Sequence, residues 1–296
     1  MNVPVWDDGD DVDLPALAGV VEADLCVVGL GGSGLAAVDE AGQLGRSVVG
    51  VDAGPVAGGA AGRNGGFLLA GMAHAFHRLV DQVGPQRAAG LYQATLDEMD
   101  AMAAATPDAI RRQGSVRLAL SDDELADCQA QATAMLAGGF QVEPFEAAFG
   151  RGLFFPADGA LQPLRRCRAL ARQARDAGAR LFAHSPATAI AGDRVVTHDG
   201  EVRCGAVVVA VDGGLERVLP ELAGRVRTAR LQMLATLPLP TMQFPRPVYA
   251  RWGYDYWQQL GDRTLALGGC RDQFAEDEWT DDTEPSAPVQ IGRAHV

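Results

Sequence analysis

A glycine-rich turn between an apolar run and an amphipathic stretch constrains this chain more than any other feature. Residues 25–30 form an apolar run of strand length, and Gly31-Gly32-Ser33-Gly34 ends it. Apolar residues then recur at helical spacing until Gly45 provides a stop, and a second apolar strand over residues 47–51 ends at Asp52. This order predicts a β-α-β unit. Because parallel strands joined by a helix need cover on both faces, we expect a doubly wound α/β sheet.

The turn matches the pattern G-x-G-x-x-G from Gly29 to Gly34, and Asp52 follows 18 residues after Gly34. Gly29 permits a tight turn, Gly31 lets the backbone approach a pyrophosphate, and Gly34 lets the helix pack closely on the sheet. The helix N-terminus offers N–H groups to phosphates, and Asp52 is expected to accept hydrogen bonds from ribose hydroxyls. The sequence therefore predicts a dinucleotide site, with flavin and nicotinamide both open. An ordinary glycine turn between a strand and a helix is the alternative.

A second glycine-rich segment covers residues 54–71, and its centre reads G-G-A-A-G-R-N-G-G-F over residues 58–67. Such a loop lets main-chain N–H groups approach a flat ligand, which favours a flavin. Here the sequence resembles the FAD-dependent oxidoreductases of the D-amino-acid oxidase type, which include glycine, sarcosine and gamma-glutamylputrescine oxidases. That family often carries Gly-Ala-Ser-Gly-Arg-Asn-Gly-Gly after a ribose-binding acid. This chain differs in that motif only at Ala61, and it has Asp52 where the family more often has Glu.

The resemblance runs from about residue 24 to residue 271 and implies a set of FAD-binding residues. It includes the segment F-P-A-D-G-A-L-Q-P-L at 155–164 and the strand end A-V-D-G-G at 210–214. The implied cofactor-binding residues are Gly29, Gly31, Gly32, Ser33, Gly34, Asp52, Ala53, Gly59, Ala60, Arg63, Asn64, Gly65, Gly66, Ala187, Ala210 and Gly213. Ala187 takes the place where relatives contact adenine through main chain. Noncovalent FAD is preferred, although His74 or His77 could tether it. No metal is expected, because no Cys, Asp or Glu accompanies those two histidines in the sequence as a further ligand.

The remaining patterns predict an interleaved two-domain fold. Helices are expected over residues 74–112, 122–137 and 165–177, with Ser121 as N-cap and Glu124 in a capping box. Strands are expected over residues 114–120, 180–211, 227–236 and 249–268, with residues 207–210 buried. The expected fold is a Rossmann-like FAD-binding domain at 20–75 and 150–215. An α+β substrate domain built on an antiparallel sheet would occupy 76–149 and 216–285.

The strand predicted at residues 249–257 supplies the candidates for a substrate pocket. A period of two places Trp252, Tyr254 and Tyr256 on one face, and Arg251 on the other. The resemblance implies that aromatic side chains line the pocket and that an arginine holds a substrate carboxylate, with Tyr254 as the first candidate. An aromatic core face with a charged exterior is an equal alternative. No catalytic residue is assigned, because an amine that reaches the flavin deprotonated needs no strong base.

Composition limits the partners and the compartment. The chain has 25 basic and 38 acidic side chains, a net charge of −13, and no basic run, which argues against nucleic acid and membrane surfaces. Neither a run of about 18 apolar residues nor a basic, apolar leader occurs. Its five cysteines lack C-x-x-C spacing, as expected for reduced thiols in the cytoplasm. Expected partners are a small amine or amino acid and dioxygen or another electron acceptor.

The last residues, I-G-R-A-H-V at 291–296, fit no helix, strand or cap. One reverse translation contains AGATCGGAAGAGCACACGTC, which resembles the start of a widely used sequencing adapter. We therefore expect read-through at 291–296 and a missing final segment of the FAD-binding domain.

The expected activity is oxidation of a small amine or amino acid by hydride transfer to flavin, giving an imine. The alternatives are a nicotinamide-dependent dehydrogenase and a noncatalytic or inactive truncated nucleotide-binding protein.

Overall fold

The computed structural model describes residues 3–289, so the segment 291–296 lies outside the described residues. The α-helices, in chain order, are α1 Gly32–Gln43, α2 Phe76–Val83, α3 Pro85–Ala105, α4 Asp122–Ala137, α5 Pro163–Asp176 and α6 Leu215–Val218. The β-strands are β1 Gly19–Val28, β2 Val48–Val51, β3 Phe67–Leu68, β4 Ile110–Arg111, β5 Ser115–Ala119, β6 Glu143–Ala147, β7 Gly150–Phe155, β8 Gly159–Leu161, β9 Arg180–Phe182, β10 Ala189–Ala191, β11 Arg194–Val196, β12 Gly200–Val209, β13 Met233–Ala235, β14 Val248–Ala250, β15 Asp255–Gln259 and β16 Leu265–Gly268.

The described chain divides into two compact units, each made of separate segments. The first unit contains residues 3–64, 163–230 and 276–284. The second unit contains residues 65–162, 231–275 and 285–289. The first unit was expected to end at residue 75 and to resume at residue 150. The chain instead leaves it after Asn64 and returns to it at Pro163.

The first unit is built on a six-stranded sheet in the order β10-β11-β12-β1-β2-β9. The central strand β1 runs parallel to both β12 and β2, and β2 runs parallel to β9. Cys26, Val27 and Val28 at the end of β1 are buried, as is all of β2, which explains their continuous apolar sequence. The predicted β-α-β unit is therefore confirmed. Residues 207–209 of β12 are only half-buried, so the prediction of a buried strand there was wrong.

The second unit is built on a mainly antiparallel sheet of seven strands in the order β13-β16-β15-β14-β5-β7-β6. Only the pair β14 and β5 in this sheet runs parallel. A separate three-stranded sheet has the order β3-β8-β4. Helices α2, α3 and α4 carry apolar side chains into one core, where Phe76, Tyr92 and Met135 are buried. The expected antiparallel substrate-domain sheet is thus present with one exception.

All three helix predictions can be compared with the observed bounds, and the helix expected over 165–177 is observed as α5, Pro163–Asp176. The helix expected over residues 74–112 is divided at Gly84, whose φ of +82° ends α2, and Pro85 then begins α3. Helix α4 has the predicted bounds, and the Ser121 hydroxyl accepts a hydrogen bond from the Glu124 N–H at 3.1 Å. The Glu124 carboxylate accepts from the Leu120 N–H at 2.8 Å, whereas a capping box would use the N–H of Ser121.

The continuous strand predicted over residues 249–257 was wrong. Strand β14 ends at Ala250, and three successive residues have positive φ: Arg251 at 48°, Trp252 at 61° and Gly253 at 90°. Left-handed backbone cannot continue a pleated strand, so the alternation of faces is lost before β15 begins. Side chains at 252 and 254 therefore do not share a strand face with that at 256.

Candidate cofactor site

The turn after β1 is tight enough to require glycine at two positions. Gly29 has a φ of +104°, and a Cβ atom there would lie 2.5 Å from the carbonyl oxygen of Ala210. A Cβ on Gly34, one helical turn later, would overlap the carbonyl oxygen of Gly29 itself. Both glycines are thus required by backbone sterics, and the closeness expected between helix α1 and strand β1 is observed.

Helix α1 begins with no side-chain cap. Its N-cap residue, Gly31, makes no side-chain hydrogen bond to the first turn, and a Cβ on Gly32 would meet no atom within 4 Å. A Cβ on Gly31 would lie 3.1 Å from the Cβ of Ala61. An uncapped helix N-terminus can bind an anionic group through its N–H groups and the helix dipole.

Asp52 links the two glycine-rich segments within the first unit. Its Oδ2 atom accepts a hydrogen bond from the Leu30 N–H at 2.6 Å, and its Oδ1 atom accepts from the Gly54 N–H at 2.9 Å. The Ser185 N–H donates to its main-chain oxygen at 2.7 Å. A carboxylate has about four acceptor positions, so Asp52 retains capacity for ribose hydroxyls while it organises the protein.

The segment from Gly58 to Asn64 forms a closed turn. A short 3-10 helix covers Ala60–Gly62, and the Arg63 Nε donates to the Gly58 carbonyl at 2.9 Å. The Asn64 side-chain amide donates to the Ala61 carbonyl at 2.8 Å. These contacts give both side chains a role in shaping the loop, and direct contact of either with a cofactor stays a prediction.

Three successive carbonyl groups that follow this turn are held by the protein. In the first unit, the Trp6 indole donates to the Asn64 oxygen at 2.8 Å. In the second unit, the Gln258 side-chain amide donates to the oxygens of Gly65 and Gly66, the latter at 3.0 Å. Sequence reasoning missed Trp6 and Gln258. A lone tryptophan in an acidic N-terminal segment was the available signal for Trp6, whereas Gln258 gave none.

The other expected cofactor residues of the first unit lie on neighbouring strands and loops. Ala187 packs against the apolar core formed by β1, β2 and β12. The Ala210 N–H donates to the Val28 carbonyl at 2.8 Å, which extends the pairing of β12 with β1 up to the glycine turn. A Cβ on Gly213 would make ordinary contact with Thr228 at 3.5 Å, and Ala53 is exposed directly after Asp52. Their contact with FAD stays a prediction.

The substrate-pocket candidates of the second unit do not form one wall. The Arg251 guanidinium pairs with Asp255 at 2.8 Å and also with Asp272. The main-chain N–H of Trp252 donates to the Glu124 carboxylate at 3.0 Å. Tyr254 is 51% exposed.

Tyr256 lies beside Gly65 and Phe67. Its ring packs edge-on against Phe67 with centroids 5.7 Å apart, and a Cβ on Gly65 would lie 2.9 Å from the same ring. Within the second unit, Tyr256 and Gln258 therefore bring β15 against the start of β3. The expectation that Trp252, Tyr254 and Tyr256 share one strand face was wrong, because the positive φ values at 251–253 interrupt the strand.

A buried ion cluster accounts for several charged residues of the second unit. Asp127 on α4 pairs with Arg117 on β5 at 2.7 Å and with Arg78 at 2.6 Å, and His77 lies 3.2 Å away. Burial acts to raise the pKa of Asp127, but hydrogen bonds from the two arginines outweigh it and hold the pKa below its usual value. The Arg78 and Arg117 guanidinium groups also lie 5.0 and 5.4 Å from the Trp252 ring. This cluster fastens α2, α4 and the Trp252 turn to β5.

Asp158 is a buried carboxyl group whose pKa is raised, in contrast to that of Asp127. Burial raises its pKa to about 6, although the Ala70 N–H, the Ser115 hydroxyl and the charge of Arg112 act in the other direction. The Ala70 N–H donates at 2.9 Å and the Ser115 hydroxyl at 2.6 Å. This carboxyl therefore connects the segment after β3 with β5, and its burial disfavours the charged form.

The rest of the described chain adds few candidate sites. Within residues 3–289, no group of three or more His, Cys, Asp or Glu side chains is placed to hold a metal ion. Over the same residues, none of the helices has both the length and the apolar content needed to cross a membrane. All five cysteines are free, and burial raises the pKa of Cys26 to about 12 and that of Cys167 to about 11.

Comparison with known proteins gives matches by sequence and by fold. Probable oxidoreductase OrdL of Haemophilus influenzae is 28% identical over 198 residues, which are 60% of this chain and 44% of that relative. The crystal structure of glycine oxidase from Geobacillus kaustophilus superposes with a TM-score of 0.70 and 20% identity, covering 93% of this chain and 76% of that one. L-amino acid deaminase from Proteus vulgaris gives 0.65 and 22%, covering 88% and 63%.

L-proline dehydrogenase from P. horikoshii also superposes, with a TM-score of 0.70 and 15% identity over 95% of this chain and 76% of that one. These structural likenesses show a common fold. The chain spans less than half the length of the curated relative that it matches. The sequence model of the FAD dependent oxidoreductase family, DAO, matches residues 24–291, nearly the whole chain. The chain therefore belongs to the DAO family of FAD-dependent oxidoreductases.

Proposed function

We propose that this chain binds FAD noncovalently and acts as an oxidoreductase that converts a small amine or amino acid to an imine. The observation that carries the proposal is the double hydrogen bond of Asp52. Its two carboxylate oxygens accept from the Leu30 N–H at 2.6 Å and the Gly54 N–H at 2.9 Å, so one side chain fixes both glycine-rich segments. The uncapped N-terminus of α1 lies directly beyond Leu30. This arrangement suits a ligand with a pyrophosphate and a ribose.

The chain's own groups divide the binding task by chemistry. The N–H groups of Gly32 and Ser33 at the start of α1 would bind the pyrophosphate. The remaining acceptor positions of Asp52 would bind ribose hydroxyls. The loop at Gly59 to Gly66, together with main chain at Ala187, Ala210 and Gly213, would hold the rest of the molecule. When bound, FAD supplies a two-electron acceptor for hydride from the C–H bond beside the substrate nitrogen.

The names of similar proteins and the position of Tyr256 in the second unit support the proposed substrate class. The similar structures are a glycine oxidase, an L-amino acid deaminase and an L-proline dehydrogenase, and their names share an amino-acid substrate. Tyr256 becomes the first candidate for substrate contact because it packs beside Phe67 and Gly65. Arg251 is a weaker candidate for binding a carboxylate, because Asp255 and Asp272 already neutralise it. An amine that arrives deprotonated needs no side-chain base, so orientation is the main task of the protein.

Titration of the purified chain with FAD, followed by flavin fluorescence, tests the proposal. We expect saturable binding, release of free FAD by acid precipitation, and bleaching of the bound flavin under anaerobic conditions by an amino acid. Asp52→Ala should weaken binding by roughly 1–3 kcal/mol, because it leaves N–H groups and ribose hydroxyls unpaired. Asp39→Ala on the exposed face of α1 is the matched control and should leave affinity unchanged.

Other outcomes would favour the alternatives. Preferential binding of NADH without flavin would indicate a nicotinamide-dependent dehydrogenase. Binding of FAD without reduction by any amine would indicate a noncatalytic nucleotide-binding protein. Stopped-flow reoxidation by dioxygen and by a quinone would identify the acceptor, and fractionation of the producing cells would test the proposed cytoplasmic location.

A further inference from the structure

The N-terminal segment at residues 3–17, here called the strap, is fastened along the first unit before β1 begins. At its far end, the Leu17 N–H donates to the Ser185 hydroxyl at 2.8 Å, and the Pro15 carbonyl accepts from the Ala183 N–H at 3.1 Å. Leu17 is fully buried. The strap is therefore tied to the loop that leads to Ala187, one of the expected cofactor residues.

The middle of the strap is fastened by charge. Its aspartates face three arginines that occupy successive turns of one face of α5. The Arg168 side chain is only 5% exposed and contacts Asp7 at 3.1 Å, Asp8 at 3.3 Å and Asp11. The outer pairs are Arg165 with Asp8 at 2.8 Å and Arg172 with Asp10 at 2.9 Å. A nearly buried guanidinium with several carboxylate partners holds its geometry better than an isolated surface pair does.

The near end of the strap reaches the second glycine-rich segment. The Trp6 side chain is 5% exposed, and its indole N–H donates to the Asn64 carbonyl at 2.8 Å across 58 residues of sequence. In a trans peptide the C=O and the following N–H point in opposite directions, so this bond fixes the orientation of the Asn64–Gly65 peptide. Helix α5 supports the same turn, because a Cβ on Gly62 would lie 2.9 Å from the Leu164 side chain.

We propose that Trp6 is a positioning residue that fixes the Asn64–Gly65 peptide in the loop at residues 58–66. The strap and α5 hold Trp6 in place. The proposal rests on the proposed function for its consequence, which is a loop already ordered before FAD arrives. Ordering in advance lowers the entropy lost on binding. Removal of the Trp6 bond should therefore weaken FAD binding without any lost contact to FAD itself.

Trp6→Phe tests the bond, since it removes the indole N–H and retains an aromatic ring. Trp257→Phe is the matched control, because the Trp257 indole N–H has no partner among the described residues. We expect amide hydrogen exchange over residues 58–66 to be about fivefold faster in Trp6→Phe, the effect of one hydrogen bond, and unchanged in Trp257→Phe. Tryptic cleavage after Arg63 should accelerate by a similar factor, and the FAD Kd should rise about fivefold.

A second variant tests the strap without touching the tryptophan. Asp8→Asn combined with Asp11→Asn removes two of the negative charges that pair with Arg168, whereas Asp13→Asn changes the charge of an exposed residue in the same segment. The double variant should also accelerate exchange over residues 58–66, and the control should not. A packing role alone would leave exchange in the loop unchanged in Trp6→Phe.

The outcomes separate the two proposals. Unchanged loop exchange in Trp6→Phe would overturn the positioning role, whatever the FAD affinity. Failure of the parent chain to bind FAD would overturn the proposed function, and the exchange comparison, made on the ligand-free protein, would still decide whether Trp6 fixes the loop. Faster exchange with weaker FAD binding would support both.

Discussion

The turn at Gly29–Gly34 and the loop at residues 58–66 are both glycine-rich, but different forces hold them in shape. In the turn, the atoms that exclude a side chain are main-chain atoms, such as the Gly29 and Ala210 carbonyl oxygens. In the loop, the carbonyls are held by the side chains of Trp6 and Gln258, which lie 58 and 193 residues away in sequence. Main-chain atoms therefore exclude a side chain at Gly29 and Gly34, with Asp52 adding a hydrogen bond to the turn, whereas remote side chains hold the carbonyls at the end of the loop.

This difference has consequences for tolerance to mutation. The turn fails when a methyl group is added at Gly29 or Gly34, where a main-chain oxygen would lie 2.5 Å away or closer. In the loop, each remote hydrogen bond that is lost loosens the carbonyl group that it held by a limited amount. The buried carboxyl of Asp158 extends the second case, since it holds the Ala70 N–H across 88 residues of sequence.

The largest effect is expected for Gly34→Ala, which tests whether main-chain atoms exclude a side chain in the turn. The new methyl group would overlap the Gly29 carbonyl oxygen, and Gly29 is itself held by the hydrogen bond from its N–H to the Val51 carbonyl at 2.8 Å. We expect a loss of more than about 4 kcal/mol in the free energy of unfolding, measured with urea. Gly32→Ala is the control, because its methyl group would meet nothing within 4 Å. Equal stability of the two variants would contradict the steric argument.

Asp158→Asn tests the cost of a remote support that is ionisable. Because its pKa is raised to about 6 from an unfolded value of 3.8, the folded protein binds more protons than the unfolded chain between these values. The stabilising contribution is complete below pH 4 and is lost as the pH rises through 6, a change of about 3 kcal/mol. The parent chain should show this loss between pH 4 and pH 7, and Asp158→Asn should not. Parallel pH profiles of unfolding for the two proteins would refute the shift.

Gln258→Leu tests the remote hydrogen bonds of the loop directly. It removes the donors to the Gly65 and Gly66 carbonyls, and a loss of roughly 1–3 kcal/mol is expected. Gln259→Leu on the same strand is the matched control, because the Gln259 amide holds Thr241 and Arg263 instead. Both should destabilise the chain, but only Gln258→Leu should speed amide exchange over residues 64–68. Identical exchange patterns in the two variants would show that Gln258 does not hold the loop.

The smallest effects are expected at Tyr256 and Tyr254, which were predicted to share one strand face. Tyr256→Leu removes the edge-on contact with Phe67 and should cost about 1 kcal/mol. Tyr254→Leu changes a side chain that is 51% exposed and should stay within about 0.5 kcal/mol. Under the proposed function, only Tyr256→Leu should alter the amino-acid concentration needed to reduce the flavin. A larger effect at Tyr254 would restore it as the pocket residue.

Much of the first unit could be predicted because its signals are local. The strand, glycine turn, helix and second strand follow one another between residues 25 and 52, and each is recognisable from apolar spacing and glycine positions. Helix α4 was predicted with its observed bounds, because Ser121 caps it and Gly138 follows its last residue. The pocket strand was predicted wrongly, since its aromatic alternation gave no sign of the left-handed residues Arg251 and Trp252.

The sequence by itself determined the β-α-β unit, the glycines of its turn and the acid at Asp52, because short-range sterics and spacing leave few alternatives there. Only the tertiary structure decided that Trp6 and Gln258 hold successive carbonyls, and that Tyr256 stands apart from Trp252 and Tyr254. The physical reason is the range of the contacts. A hydrogen bond across 58 or 193 residues leaves no periodic trace in the chain, because it depends on where folding brings each side chain.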